Sequence, residues 1–341
     1  MPFTKKQNLF LLLLLFSVVI LFFVNISLGS VAIPLEQLTK GIFGQSLDKS
    51  SWEIILWNFR LPKAFTAIFV GIGLAISGLL MQTLFRNPLA GPYVLGLSSG
   101  ASLGVAFVIL GVAFLPQSVA TLFLSPFGLV LASGLGSFLV LLAVLVVAKQ
   151  LKDTMAILIV GLMFGSFTSA IVNVLSYFST AEQLQKFTFW SLGSISNLSW
   201  KEVGILGSFV SIGVLLSIWV IKPLNALLLG EKYAQSIGIN YKKTKIIIIL
   251  VTSILAGSIT AFAGPIAFIG LAVPHIAKLI FQTSNHAVLL LGTLLLGAAI
   301  LLLCDCIAQL PGSDLTLPIN AITSVIGAPI VIWLLVRKKR F

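Results

Sequence analysis

Charged side chains are scarce in this chain of 341 residues. They make up 9% of the sequence, whereas 58% of it is hydrophobic, and the mean hydropathy is +1.14. A soluble domain has about 25% charged residues, so this shortage excludes an ordinary soluble domain. A helix that crosses a bilayer needs about 20 apolar residues, and the apolar runs leave room for about ten such helices. The sequence therefore predicts an all-α polytopic membrane protein with about ten transmembrane helices in one domain, residues 1–341.

Residues and motifs typical of catalytic, metal-binding and nucleotide-binding sites are also scarce. Cys304 and Cys306 lie two apart in an apolar run and point to different helix faces, so we expect no disulfide between them. The histidines, His275 and His286, are too few for a zinc site, and we place both at the cytoplasmic ends of helices. The sequence has no P-loop motif and no Gly-Lys pair. We therefore predict no catalytic residue, no metal site and no cofactor in this chain.

Acidic residues are outnumbered, with 9 Asp and Glu against 21 Lys and Arg, for a net charge of +12. The basic residues lie at the edges of apolar runs and not in one patch, so they orient the spans and do not indicate a nucleic-acid partner. Most of them fall on one side of the predicted spans, which places both termini in the cytoplasm. Among the acids, Asp305 alone falls inside a predicted span, near its outer end. A proton- or sodium-coupled transporter would carry a chain of such groups, so that class is disfavoured.

The predicted spans follow the apolar runs of the sequence. They lie at residues 9–24, 62–85, 94–114, 126–148, 154–175, 203–221, a seventh run that ends at about 263, 266–280, 287–307 and a last run that ends at 337. Prolines and glycines interrupt the pattern at 86–92 and at Gly264-Pro265, early in spans 2–5 and in spans 7–10. The two groups start on opposite sides of the membrane, which predicts an inverted repeat.

Shorter elements are predicted between the spans. Residues 31–58 read as an external amphipathic segment, the i,i+4 pair Glu182 and Lys186 predicts a short surface helix, and another short helix is predicted over 319–325. Small residues predict where helices pack closely. These are Gly71, Gly73, Ser77 and Gly78 in span 2, together with the pairs Gly100 and Gly104, and Gly161 and Gly165.

A polar loop at residues 222–245 separates two strongly apolar runs. It carries five lysines against one acid, Glu231. Gly230, Ala234 and Gly238 recur at every fourth position, which predicts that they share one helical face where another surface comes close. Our hypothesis is that a separate, energy-supplying protein docks here. The alternative is an ordinary basic loop that the positive-inside rule keeps in the cytoplasm.

Four motifs, in order along nearly the whole chain, carry a resemblance to a known family. They are Arg60-Leu-Pro-Lys63, then Arg86-Asn-Pro-Leu-Ala-Gly-Pro92 followed by Gly96 and Ser99-Gly-Ala101, then Gly264-Pro-Ile-Ala-Phe-Ile-Gly-Leu271 with Pro274-His275, and Leu317-Pro-Ile319 with Gly327-Ala-Pro329. Together they resemble the membrane permeases of iron–siderophore, haem and cobalamin ABC importers, which are type II importers.

This resemblance implies a non-enzymatic permease domain in the bacterial cytoplasmic membrane. It would dimerise around a central pathway with an identical chain or a close relative. Two ATPase subunits would bind the cytoplasmic side, and an external substrate-binding protein would deliver the ligand. The expected ligand is an iron chelate, a ferric siderophore, with haem or cobalamin as the alternative. From other classes, an ion-coupled secondary transporter and, more distantly, a membrane-bound enzyme remain as competitors.

The resemblance gives the 222–245 loop a role. Gly230, Glu231, Ala234 and Gly238 match the cytoplasmic coupling helix that sits in a cleft of the ATPase. Closure of the ATPases would push this helix and rock the bundle as a rigid body.

On the outside, Arg60 and Lys63 match the basic pair that meets acidic residues of the binding protein. Such charges steer docking and fix orientation more than they add affinity. Lys63 stands where family members often have Arg, which weakens a bidentate contact with a carboxylate. Gln309 stands where family members frequently have a basic residue after the acid, which leaves open whether Asp305 forms an ion pair.

On the inside, Asn87, Leu89 and Thr154 match positions that line a cytoplasmic gate in the cobalamin permease. For each of them, simple capping of a helix end is the alternative.

Overall fold

The computed structural model describes residues 3–111, 123–151, 154–309 and 315–337, and these residues form helices and connections with no strand. The helices are α1 Lys5–Ser27, α2 Leu35–Ile42, α3 Ser50–Ile55, α4 Leu61–Leu84, α5 Leu97–Ile109, α6 Pro126–Gln150, α7 Thr154–Tyr177, α8 Ala181–Ser191, α9 Trp200–Trp219, α10 Ile221–Leu227, α11 Glu231–Ser236, α12 Tyr241–Ala263, α13 Ile269–Phe281, α14 His286–Ala308 and α15 Ile319–Arg337. A π-helical turn, Leu56–Arg60, joins α3 to α4, and a 3₁₀ helix, Pro92–Leu95, precedes α5.

Seven helices in the described part of the chain are long and apolar enough to cross a membrane. They are α1, α4 with the α3 segment before it, α6, α7, α9, α12 and α14. Three shorter apolar helices, α5, α13 and α15, lie where the third, eighth and tenth spans are predicted. The prediction of an all-α polytopic membrane protein is confirmed. The count of ten crossings and the cytoplasmic location of both termini stay predictions.

Two predicted boundaries differ from the structure. α5 ends at Ile109 and not at residue 114, and its 13 residues span only about 20 Å. α15 is continuous from its first residue, Ile319, to its end, so a separate short helix over 319–325 is wrong. Pro329 lies inside α15, where membrane helices tolerate proline because neighbouring groups satisfy the freed carbonyl. The predicted external turn at 116–125 falls largely outside the described residues.

The predicted surface helix within 176–200 is confirmed as α8. Its N-cap residue Thr180 and Gln183 form a reciprocal capping box. Glu182 and Lys186 form the expected ion pair, with 2.7 Å between the carboxylate and the ammonium group. The hydrogen bond from Lys186, reinforced by its charge, lowers the pKa of the Glu182 carboxyl below its ordinary value.

The order of long and short helices follows the pattern of an inverted repeat. In α4–α7 and in α12–α15, a long helix is followed by a break and then by a helix of 13 residues. Each short helix begins after a residue in the left-handed conformation, Gly96 with φ +76° and Phe268 with φ +66°. The contacts between the two groups are symmetric as well. The first helix of one group, α4, packs on α13 and α14, and the first helix of the other, α12, packs on the corresponding helices α5 and α6. These observations support the predicted repeat.

The break at Gly264-Pro265, between α12 and α13, leaves main-chain groups without helical hydrogen-bond partners, and lipid could not supply them. The main-chain N–H of Ser194 donates to the carbonyl of Ala263 at 2.9 Å, and the N–H of Ala267 donates to Asn320 Oδ1 at 3.0 Å. The α8–α9 connection and the start of α15 therefore supply the partners that make this irregular segment possible.

α4 lies at the centre of the bundle and packs against α9, α12, α13 and α14. Its closest contacts are made by glycines. A Cβ added to Gly71 would overlap the backbone of Gly297 on α14, and one added to Gly78 would overlap the backbone of Gly270 on α13. The prediction that the small residues of span 2 allow close packing is confirmed at these two positions.

We expect Gly71→Ala to destabilise the protein by about 1–3 kcal/mol, because the new methyl group meets a backbone carbonyl that cannot move aside. The thermal unfolding midpoint in detergent measures the effect. Gly134→Ala on α6 is the matched control, because an added Cβ there meets nothing within 4 Å. Its midpoint should stay the same or rise. Equal midpoints for the two variants would contradict the prediction.

Candidate functional site

The 222–245 loop contains two short helices, α10 and α11. α11 has only 6 residues, and glycines lie at both of its ends, Gly230 with φ +120° and Gly238 with φ +86°. Glycine adopts these conformations at little cost, whereas other residues are strained in them. The prediction that Gly230, Ala234 and Gly238 share one helical face is therefore wrong, because the two glycines bound the helix and do not lie within it. Ala234 is fully buried against the rest of the chain.

Large apolar side chains of this loop are exposed. Leu229, Tyr233 and Ile237 have 67%, 47% and 54% of their surfaces exposed, beside the exposed charges of Glu231 and Lys232. Large exposed apolar side chains with a polar rim mark a surface that binds a partner. Tyr233 and Ile237 were not among the predicted residues. Their i,i+4 spacing around the small residue Ala234 was the signal that could have identified them.

The turn after α4 holds two of the three predicted gate residues. Asn87 Oδ1 accepts a hydrogen bond of 2.9 Å from the main-chain N–H of Leu89, and the Leu89 side chain is 43% exposed. Thr154 is the first residue of α7, and its side chain lies outside the described part of the structure. Asn87 thus makes a local turn-stabilising contact, as the capping alternative expects, and it leaves Leu89 free to face outward.

This turn is bound to two other elements. The ring Nε2 of His275 lies 3.0 Å from the carbonyl oxygen of Pro88, which joins the turn to α13. Arg86 donates a hydrogen bond of 2.6 Å to the carbonyl of Leu227 at the end of α10. Sequence reasoning missed this role of Arg86. His275 lies inside α13, so its predicted place at a helix end is wrong, whereas His286 does begin α14.

At the other end of the bundle, Arg60 is buried, with 6% of its surface exposed. Its guanidinium donates hydrogen bonds to the carbonyl oxygens of Ile26 at 2.8 Å, Ser27 at 3.1 Å and Val31. These carbonyls lie at the end of α1 and in the connection to α2. In this structure Arg60 therefore holds the α1–α2 connection against α4.

Lys63 lies one turn further along and pairs with Asp305 of α14, with 3.1 Å between the charged groups. The side chains of Lys63 and Asp305 are only 12% and 5% exposed. The same carboxylate oxygen of Asp305 accepts hydrogen bonds from Asn25 at 2.7 Å and Gln309 at 2.9 Å. The sequence left open whether Asp305 forms an ion pair, and the structure shows that it pairs with Lys63 of α4. Buried charges require such partners, and here α1, α4 and the residue that follows α14 each supply one.

A cavity of about 220 Å³ opens beside this cluster and is lined by Lys63, Asp305 and Gln309, together with residues 192–196 and 316–319. Lys63 therefore keeps a small exposed surface, 12% of its side chain.

A larger pocket of about 500 Å³ lies beside α7. Its polar lining comes from Tyr93, Ser99, Ser166, Ser169 and Asn173. The last three lie on α7 at spacings of three and four, on one helix face. No charged residue lines this pocket among the described residues. It offers hydroxyl and amide groups to a hydrophilic ligand.

Comparison with known proteins agrees with these features. The sequence model of the FecCD transport family matches residues 15–337. The hemin transport system permease protein of Yersinia pestis is 33% identical over 335 residues, which cover 98% of this chain and 97% of that protein. The vitamin B12 import system permease protein of Escherichia coli O9:H4 (strain HS) is 35% identical over 292 residues, which cover 84% and 85%.

A solved structure described as an inward-facing conformation of a metal-chelate type ABC transporter aligns with a TM-score of 0.83 and 28% identity. The alignment covers 96% of this chain and 98% of that one. The relatives are transport permeases, so the chain is a multi-pass transport subunit of the cytoplasmic membrane, and its family implies an ATPase and a binding protein as partners. The match over nearly the whole length, together with the motifs from Arg60 to Pro329, means that this chain belongs to the FecCD transport family and is an ABC importer permease.

Proposed function

We propose that this chain moves an iron chelate, a ferric siderophore, across the cytoplasmic membrane, driven by ATP hydrolysis on separate subunits. The observation that carries the proposal is the family match over residues 15–337. The near-absence of carboxylates inside the spans supports an external energy source, because an ion-coupled transporter needs such groups along its pathway.

The uncharged pocket beside α7 supports a siderophore as the ligand. A siderophore encloses its iron in oxygen donors and presents a hydrophilic surface. The hydroxyl and amide groups of Ser166, Ser169 and Asn173 can form transient hydrogen bonds with that surface during transport. Haem or cobalamin is the second candidate, and the two relatives named for hemin and vitamin B12 favour it.

The complete importer in this proposal has two ATPase subunits, one external binding protein and a second permease subunit, identical to this chain or closely related. Exposed apolar side chains on α7, among them Met163 and Phe167, provide a surface for the second permease or for lipid. The whole of 1–341 acts as one permease domain.

Residues 222–245 form the cytoplasmic coupling loop of the proposed permease. Gly230, Glu231, Ala234 and Gly238 shape and orient α11, and the apolar surface of Tyr233 and Ile237 enters the cleft of the ATPase. Glycines at both ends allow the tight turns that project α11 from the bundle.

The cytoplasmic gate of the proposed permease consists of Asn87, Leu89 and Thr154. The exposed Leu89 side chain can close a narrow pathway by excluding water, while Asn87 fixes the turn that carries it.

Ligand choice and energy source can be measured together in liposomes that contain the permease, its ATPase and its binding protein. We expect uptake of a ferric siderophore that vanadate abolishes and that a proton uncoupler leaves intact. Haem and cobalamin are offered in parallel as matched ligands. Preferred uptake of either would replace the siderophore but keep the importer. Uptake that survives vanadate and stops with the uncoupler would reject ATP-driven transport.

The exposed surface of Leu229, Tyr233 and Ile237 is here called the coupling surface. Ile237→Ala and Tyr233→Ala each remove apolar contacts from it and should weaken ATPase binding by about 1–2 kcal/mol, roughly tenfold. Affinity of the detergent-solubilised permease for the ATPase subunit is the measurement. Ile218→Ala on α9 is the matched control, because Ile218 is 48% exposed, close to the 54% of Ile237. Unchanged affinity in all three variants would contradict the coupling role.

Docking of the binding protein at Arg60 and Lys63 needs a test that separates it from their contacts within the chain. Lys63→Met leaves the Asp305 carboxylate buried without its charge partner and should cost about 3–5 kcal/mol of stability. The double variant Lys63→Met with Asp305→Leu removes both charges and should restore most of that stability.

If Lys63 docks the binding protein, affinity stays low in the double variant and loses part of its dependence on salt concentration. Binding and stability are measured on the same preparations. Wild-type affinity in the double variant would mean that Lys63 serves stability alone.

A further inference from the structure

A chain of hydrogen bonds connects the 222–245 loop to the ends of two membrane helices. Asn225 lies on α10, next to the coupling surface. Its Oδ1 atom accepts the main-chain N–H of His286 at 2.8 Å and lies 2.8 Å from the ring Nδ1 of the same residue. Because a main-chain N–H can only donate, the Asn225 atom is an acceptor, and the ring Nδ1 carries a hydrogen. Asn225 thereby holds both the backbone and the ring of the first residue of α14.

The other side of the imidazole contacts α4. The ring Nε2 of His286 lies 2.9 Å from Thr83 Oγ1, in the last turn of α4. His286 is 1% exposed and Thr83 is 6% exposed, so water does not compete for this contact. The three side chains of Asn225, His286 and Thr83, here called the inner relay, therefore join α10, α14 and α4 at one point.

Beyond the inner relay, α4 and α14 are held together along their length. Their backbones meet at Gly71 and Gly297, and the Lys63–Asp305 ion pair joins them at the opposite end. Two helices held at both ends and in the middle respond to a displacement as one rigid body. The inner relay therefore connects α10 to a helix pair that extends to the far end of the bundle.

We propose that the inner relay transmits the movement of the ATPase-bound loop to the α4–α14 pair. Asn225, His286 and Thr83 are then positioning residues for transport and touch neither nucleotide nor ligand. The inference rests on the proposed function, since it needs an ATPase that moves the loop. Arg86, which donates a hydrogen bond to the Leu227 carbonyl, joins the loop to the turn that holds Asn87 and Leu89 by a second, parallel contact.

The test measures ligand transported per ATP hydrolysed by the complete importer in liposomes. Thr83→Val removes the hydroxyl while it keeps the side-chain shape, and Asn225→Ala removes the acceptor. Thr83→Ser and Asn225→Asp keep those groups and should rescue. Thr293→Val on α14 is the matched control, because the Thr293 hydroxyl is buried and has no hydrogen-bond partner among the described residues.

We expect Thr83→Val, which lies outside the 222–245 loop, to retain the ATPase subunit and its rate of hydrolysis. For Asn225→Ala, which lies inside that loop, the ligand transported per ATP is the readout. The ligand transported per ATP should fall about fivefold or more, which is the lower end of typical coupling between sites. Thr293→Val and the two rescue variants should keep the wild-type ratio. Transport and hydrolysis that fall in parallel, with an unchanged ratio, would reveal a merely structural role and overturn the proposal.

Wild-type behaviour separates this inference from the proposed function. Uptake by the wild-type complex that needs no ATP would overturn the importer itself. Uptake that is ATP-driven in the wild type, with the wild-type ratio also in Thr83→Val and Asn225→Ala, would overturn the inner relay alone.

Discussion

The backbone contact between α4 and α14 at Gly71 and Gly297 is the constraint on which the rest of the bundle depends. It leaves no space for a side chain, so the two helices cannot slide or rotate without separating. Buried polar contacts lie at both ends of this pair, Lys63 with Asp305 at one end and Thr83 with His286 at the other. The moving parts of an importer need a stiff element between the energy source and the ligand entrance, and this pair has that property.

Composition and pattern predicted most of the architecture. Apolar runs located the spans, and Gly-Pro breaks located the short helices α5 and α13, because these signals depend on neighbouring residues alone. Contacts between distant segments were not predictable in this way. The ion pair of Lys63 with Asp305 joins the second span to the ninth, and a single sequence does not record which lysine meets which acid. The surface helix α8 was predicted correctly since its ion pair is local.

The candidate site stays a prediction in its roles, whereas its local structure can be compared with the expectation. The lysine-rich composition indicated the 222–245 loop, and the Arg86–Pro92 motif indicated the turn that holds Asn87 and Leu89. The helical face expected of Gly230 and Gly238 failed because glycine spacing alone does not distinguish a packing face from two capping positions. Arg60 was predicted as a surface charge, yet it is buried by the carbonyls of the α1–α2 connection, whose conformation no local pattern encodes.

The cluster around Asp305 has a consequence for biogenesis. Its members come from α1, α4 and the end of α14, so the group is complete only when almost the entire polypeptide has been synthesised. Until then Lys63 and Asn25 lack their carboxylate partner, so a charged group and an amide that are buried in the finished bundle stay unpaired. A chain that ends before α14 therefore keeps two polar groups without the partner that offsets their burial, and only the arrival of α14 completes the cluster.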